Sequence, residues 1–325
     1  MESRKLGARG PAVPVIGLGC WQLGGGWGAE WDDRVAQEIL GAAYETGVRF
    51  IDTADVYGDG ESERSVGRFR RAHPDVVVAT KLGRAGIYPD RYNAETLREA
   101  TLRSLDRLQM ESLDLTQLHC VPTRELREGR VFDWLRELRD EGLIQRWGAS
   151  VESVEEGLIC LKEDDCTSLQ VIFNVFRQKP LEELFPAARE RGVGIIVRLP
   201  FASGLLTGKI TRNTEFLEGD HRNFNRDGEA FNVGETFAGL PFEKGVALSE
   251  RVGAHVPSGM HYAEMSLRWI LDHDAVSVVI PGASRPSQAR ANARAAGLEP
   301  LPASLHATLR NLYAAEVRPH IRGPY

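Results

Sequence analysis

Four ionisable residues of four types stand at or just beyond the ends of short apolar runs in this chain. Phe50-Ile51-Asp52-Thr53 closes one run, and Tyr57 follows Asp52 by five positions. Ala79-Thr80-Lys81 closes the next, Gln117-Leu118-His119 the one after, and Gly148-Ala149-Ser150 a further one. Singly, each has an ordinary explanation. A strand-end Asp caps the segment that follows, a loop Tyr anchors a surface, and a lone His is a satisfied polar residue. Lys81 resists that treatment, because lysine is scarce in this chain beside arginine and is disfavoured on strands. As a set they make a device. An ammonium favours the phenolate of a neighbouring Tyr, so it eases release of the phenol proton. An Asp keeps the ammonium charged, and a His hydrogen-bonds whatever oxygen the Tyr approaches. Such a group donates a proton to a carbonyl oxygen.

The elements that must position these residues repeat in pattern. The short runs are Val13–Gly19, Arg49–Thr53, Val76–Lys81, Leu113–His119, Arg146–Ser150, Leu169–Phe173, Gly194–Leu199 and Ala275–Pro281, each of a length suited to a buried parallel strand. Amphipathic stretches alternate with them: Trp31–Thr46, Asn93–Leu108, Val131–Glu141, Leu181–Arg191 and Ser287–Ala296. Asn93 reads as an N-cap, Gly47, Gly142 and Gly192 as stops, and Pro286 as a first-turn residue. Eight strands alternating with helices predict a single (β/α)8 TIM barrel of α/β class spanning residues 1–325. A doubly wound open sheet would carry a GxGxxG turn after its first strand, whereas Gly17-Leu18-Gly19-Cys20-Trp21-Gln22 lacks the third Gly. The first 14 residues predict a hairpin capping the barrel bottom. Residues 301–325 predict a closing helix and tail. A long loop separates strands seven and eight, from Pro200 to Asp274, and Thr211–Gly239 within it is rich in Gly, Asn and Phe. Loops of that length are usually functional lids or disordered.

The segment Gly47-Val48-Arg49-Phe50-Ile51-Asp52-Thr53-Ala54-Asp55-Val56-Tyr57-Gly58 resembles the signature of the aldo-keto reductases, and the similarity runs from about Ser3 to Ala296. The resemblance implies a barrel that binds a nicotinamide cofactor, NADPH rather than NADH, and reduces aldehydes and ketones. Its catalytic tetrad falls on Asp52, Tyr57, Lys81 and His119. Ser150 and Gln170 stand where the family holds the carboxamide, with Cys20, Trp21 and Asp52 beside the same cofactor. Arg198, Leu199, Pro200, Phe201, Ser203, Gly204, Leu206 and Lys209 fall in the segment that passes over the nicotinamide and clamps the pyrophosphate. Gly282, Ser284, Arg285, Gln288 and Asn292 fall at the adenosine and its 2′-phosphate, where Arg285 forks onto the phosphate. The carbonyl substrate would meet Trp21, Tyr57, His119 and Arg198, with Trp27 and the Thr211–Gly239 loop as further wall. Val151 replaces a common Asn, Arg198 a common stacking aromatic, and Ala291 a common Glu.

Composition narrows the remaining classes. The chain has 325 residues and a net charge of −6, which argues against a broad nucleic-acid-binding face. No apolar run approaches a membrane span, and the N-terminus lacks a signal-peptide core, so a cytoplasmic location is expected. Cys20, Cys120, Cys160 and Cys166 form no CxxC pair and read as reduced, buried thiols. The histidines show no H-x-H cluster, which disfavours a metal-dependent barrel hydrolase, and no metal is expected. Two other readings compete. One is a Schiff-base aldolase using Lys81. The other is a cofactor-binding regulatory subunit like the potassium-channel β subunits, of which those weighed lack the strand-four His. The expected partner is a small carbonyl compound, not nucleic acid or membrane; the oligomeric state has no signal in the sequence.

Overall fold

The computed structural model describes residues 1–24 and 30–325. Strands β1 (Ser3–Lys5) and β2 (Ala12–Pro14) pair antiparallel, Arg4 opposite Val13. Eight parallel strands follow: β3 (Leu18–Gly19), β4 (Phe50–Asp52), β5 (Val77–Leu82), β6 (Leu115–His119), β7 (Trp147–Ser150), β8 (Ser168–Ile172), β9 (Gly194–Arg198) and β10 (Val276–Val279), adjacent in chain order. Bridges Ile16 to Val279 and Gly19 to Gly282 bring the first strand beside the last. The expected strand Val13–Gly19 is divided: its first residues belong to the hairpin and its last to the barrel. Gly17 donates to the Val279 carbonyl at 2.8 Å, so the backbone still closes the barrel seam.

The helices lie between the strands. They are α1 (Asp33–Glu45), α2 (Glu61–Ala72), α3 (Ala94–Leu108), α4 (Thr123–Glu128), α5 (Arg130–Asp140), α6 (Val154–Cys160) and α7 (Leu184–Arg191). Asn93 caps α3 in a reciprocal pair with Thr96, and Gly192 ends α7 at φ +66°. Both follow local chemistry legible in the sequence. The long connection after β9 is not bare loop. It contains the short α8 (His221–Phe224) and two full helices, α9 (Phe242–Gly253) and α10 (Tyr262–Leu271), the second leading into β10. Helix α11 (Pro286–Arg294) carries Pro286 in its first turn, and α12 (Ala303–Leu312) closes the fold.

Leu6 and Val13 of the hairpin join Phe50, Ala79, Leu115, Ile196 and Val278 in one buried cluster. The strand interior is thus filled, and the hairpin plugs its lower end. Gly7, at φ +67°, sits so close to Gly192 and Gly194 that a Cβ there would lie 2.6 Å from their backbone. A filled lumen leaves only the opposite end, where the strands terminate, for a ligand. No helix among the described residues is long and apolar enough to cross a membrane. All four cysteines are buried and free.

Candidate active site

Asp52 ends β4, Lys81 lies near the end of β5 and His119 ends β6, while Tyr57 rides on the turn leading into α2. The parallel register pairs Lys81 with Gln117 and His119 with Ser150, which stacks the polar ends side by side. Lys81 is 1% exposed. Its Nζ donates to Asp52 Oδ1 at 2.5 Å, to the Thr53 carbonyl at 2.8 Å and to Tyr57 Oη at 3.1 Å. Three donors meet three acceptors, so the ammonium is fully satisfied without water. Burial pulls Lys81 down, but Asp52 and the Tyr57 oxygen outweigh it and hold it above its ordinary value.

Asp52 is braced from its other oxygen. Oδ2 accepts from Gln170 Nε2 at 2.7 Å and from Gln117 Nε2 at 3.1 Å. Gln117 was not expected in the site. It stands two residues before His119 on the same strand, and the two-residue period of a strand puts both on one face. Gln170, expected against the carboxamide, lines the cleft but commits its amide to Asp52 and Gln117.

The Tyr57 and His119 rings meet edge to face at 5.9 Å, and Trp21 lies 6.4 Å from Tyr57. The pairing with Lys81 suggests a lowered phenol pKa. The net direction is upward, because burial outweighs the pull of Lys81. Tyr57 therefore keeps its proton through neutral pH. Burial and the charges of Lys81, Arg84 and Arg198 push His119 well below its ordinary value, so the imidazole is neutral. Its Nδ1 is buried with no hydrogen-bond partner among the described residues. An orphaned polar atom at a strand end is a place where a ligand completes the bonding.

These groups open onto a cleft of about 920 Å³ that runs from His119 past Gly204 and Lys209 to Asn292. Its size suits an elongated ligand of dinucleotide class. Of the residues the resemblance places at the cofactor, Cys20, Trp21, Ser150, Leu199, Pro200, Phe201, Ser203, Gly282, Ser284 and Gln288 line it. Leu206 does not; it is fully buried beneath the segment. Arg285 does not either, since it is exposed in extended conformation at the cap of α11. Ser203 lines the wall, yet its hydroxyl is engaged by the Glu235 carbonyl and the Phe237 amide. The Gln22 amide lies across Gly282, where an added Cβ would be 2.0 Å from it, so any side chain there would have to displace Gln22. Trp27 lies outside the described residues.

The wall beside His119 is charged. Arg198 Nη1 pairs with Glu235 of the long loop at 2.5 Å, and its Nη2 donates to the Val151 carbonyl at 3.1 Å. Arg84 pairs with Glu152 at 3.3 Å and donates to the His119 carbonyl at 3.1 Å. Possible ligand atoms of Cys120, Glu152 and Glu235 lie within 4.8 Å of one another. The two guanidinium groups already neutralise the carboxylates, so this is an ion-pair network. The long loop supplies Glu235, Phe231 and Arg222 to the cleft, and His221 packs on Trp21 at 4.6 Å. Glu235 and Arg84 carried no motif that would have singled them out.

A buried Lys–Asp pair behind a Tyr, a neutral His and a long cleft thus meet at the strand ends of a (β/α)8 barrel. The sequence profile of the Aldo/keto reductase family matches residues 15–314. The chain belongs to that family and is an NAD(P)H-dependent oxidoreductase of it. It is 31% identical over 305 residues to an uncharacterized oxidoreductase of Bacillus subtilis, covering 91% of each chain. It is 28% identical over 315 residues to an NADH-specific methylglyoxal reductase of Escherichia coli, covering 91% of this chain and 93% of that one. An aldo-keto reductase from Klebsiella pneumoniae in complex with NADPH superposes with a TM-score of 0.70 at 25% identity, covering 96% of each chain.

Proposed function

We propose that this chain reduces a small aldehyde or ketone, a sugar or another polar carbonyl compound, to the alcohol with NADPH, and that Tyr57 is the general acid. The observation that carries the reading is the Lys81 Nζ to Tyr57 Oη contact at 3.1 Å beside His119 in the cleft. Tyr57 holds its proton until a carbonyl oxygen arrives. Lys81 donates to the phenol oxygen and stabilises the negative charge left there as the proton departs. Asp52, held by Gln117 and Gln170, fixes Lys81 so that its charge is already aimed. Neutral His119 offers a ring N–H to the same substrate oxygen. When bound, the nicotinamide supplies the hydride that the carbonyl carbon accepts.

Ser150, Gln170 and the Leu199–Gly204 segment would hold the nicotinamide half, and Lys209 the pyrophosphate. Ser284, Gln288 and Asn292, at the N-terminal end and along the face of α11, would hold the adenosine half. Glu30 and Asp32 also line the cleft. With acids present and Arg285 outside the lining, NADPH is favoured over NADH by only a small margin, on the order of 1 kcal/mol. The buried free thiols support a reducing, cytoplasmic setting.

The test is a panel of aldehydes, aldoses and keto acids assayed with NADPH for wild type and Tyr57→Phe. The variant should bind the cofactor and lose about 10²–10⁴ in turnover. A Phe variant that reduces its best substrate at the wild-type rate removes Tyr57 from the role. Wild type that binds cofactor and turns over no carbonyl points instead to a regulatory subunit.

A further inference from the structure

Neither Tyr57 nor His119 is poised near neutrality. Burial keeps Tyr57 above its ordinary value and His119 well below. Two residues before Tyr57 stands a carboxyl of a different kind. Asp55 is 4% exposed, and neither of its oxygens has a hydrogen-bond partner among the described residues. A buried carboxylate without partners is costly, and the ordinary escape is to keep the proton.

Asp55 lies in the turn that presents Tyr57. Its amide donates to the Lys81 carbonyl at 3.2 Å, and the Tyr57 carbonyl accepts from the Gly60 and Ser62 amides. Glu63 of α2 is fully buried and takes Arg107 Nε at 2.6 Å and Thr80 Oγ1 at 2.5 Å. The Arg107 stem lies against Gly60, where an added Cβ would meet it at 2.6 Å. Two carboxyl groups therefore share one nearby guanidinium, which is already committed to Glu63 and touches the Tyr57 turn. The charged groups acting on Asp55 are Glu63 from α2, and Arg107 and Arg103 from α3. On the strand side, Lys81 and Asp52 neutralise each other.

We propose that Asp55 is a positioning residue for Tyr57: the active fold carries it protonated, and its ionisation draws the turn toward Arg107 and slows carbonyl reduction. The proposal rests on the reductase reading above. Burial and the charge of Glu63 push Asp55 up to about 7, against the pull of Arg107. Its protonated fraction then falls from about nine-tenths at pH 6 to about a thirtieth at pH 8.5.

The experiment measures kcat/KM for one carbonyl substrate from pH 6 to 8.5, with the protonated-carboxyl C=O stretch followed by difference infrared spectroscopy. Wild type should lose about 10-fold or more in rate across this range, whereas Asp55→Asn, an analogue of the protonated acid, should change less than about 2-fold. Glu63→Gln removes the like charge and should move the fall to lower pH, which keeps the test open if Asp55→Asn folds poorly. The infrared band should be present in wild type at pH 6 and missing from Asp55→Asn. A flat wild-type profile, an unchanged fall in Asp55→Asn, or a band that survives the substitution would overturn the proposal and leave the tetrad untouched. Absence of any carbonyl turnover would instead remove the reductase reading, and this role with it.

Discussion

Lys81→Met gives the sharpest test of how the site is built, because it acts on activity and stability through different partners. The substitution roughly preserves volume and deletes a cation whose three contacts are all internal. Asp52, 2% exposed, keeps its two glutamine donors but loses its counter-charge. Breaking a buried pair by removing one member costs about 3–5 kcal/mol, because the remaining charge is uncompensated. The entropy of unfolding is about 0.7 kcal/mol per kelvin for a chain of this length. The expected loss of Tm is therefore about 4–7 °C.

Asp52→Asn combined with Lys81→Met removes the orphaned charge and should regain most of that stability, since apolar or neutral replacements of whole buried pairs are often neutral. Activity should not return, because Tyr57 still lacks its cation. The assay is calorimetry of wild type, both single variants and the double variant, with turnover measured on the same samples. A Lys81→Met protein as stable as wild type would refute the reasoning that an uncompensated buried charge is left behind. A double variant that regained turnover would remove Lys81 from the proton-transfer step. The imine-forming aldolase is judged by the same proteins: borohydride should trap no substrate on wild-type Lys81, and a trapped adduct would reverse the reading.

Arg198→Leu breaks the Glu235 pair and should raise KM for a polar substrate more than for a small neutral aldehyde; equal effects would assign Arg198 to the cofactor or the fold. Arg285→Ala should change NADPH and NADH binding alike, within about 2-fold, because the side chain is exposed and outside the cleft lining. Selective loss of NADPH in a fluorescence titration would show that Arg285 swings in to the 2′-phosphate. Gln117→Leu should lower kcat and leave KM nearly unchanged, since the residue reaches the reaction only through Asp52; a rise in KM alone would mean that it contacts the substrate.

Legibility in the sequence followed the range of the forces involved. Strand and helix order was readable because β-branched runs, an Asn cap at Asn93 and Gly192 at a helix end act within a few residues. The tetrad was readable because polar residues at strand ends are brought together by barrel topology itself. The division of Val13–Gly19 was not readable, since pairing with Ser3–Lys5 competes with the barrel for the same extended backbone. The helices within the long connection are hard to read from sequence, because a Gly- and Asn-rich start masks the amphipathic runs that follow. Glu235 was out of reach for a different reason. Its place against Arg198, 37 positions earlier in the chain, depends on the connection folding back over the cleft, and no local pattern encodes that return.

The direction of the Tyr57 shift shows why residue identity alone was insufficient. A Lys beside a Tyr argues for easy loss of the phenol proton, and the contact is present. Burial, which no strand-end motif reports, outweighs it and reverses the sign. The reversed sign suits the chemistry. A general acid must arrive with its proton in place, and a phenol above its ordinary value stays protonated at neutral pH. On the proposed mechanism, Lys81 would matter chiefly at the moment of transfer, when negative charge would appear on the Tyr57 oxygen 3.1 Å away. The same burial that protects the proton beforehand excludes the water that would weaken the ammonium's pull on that charge.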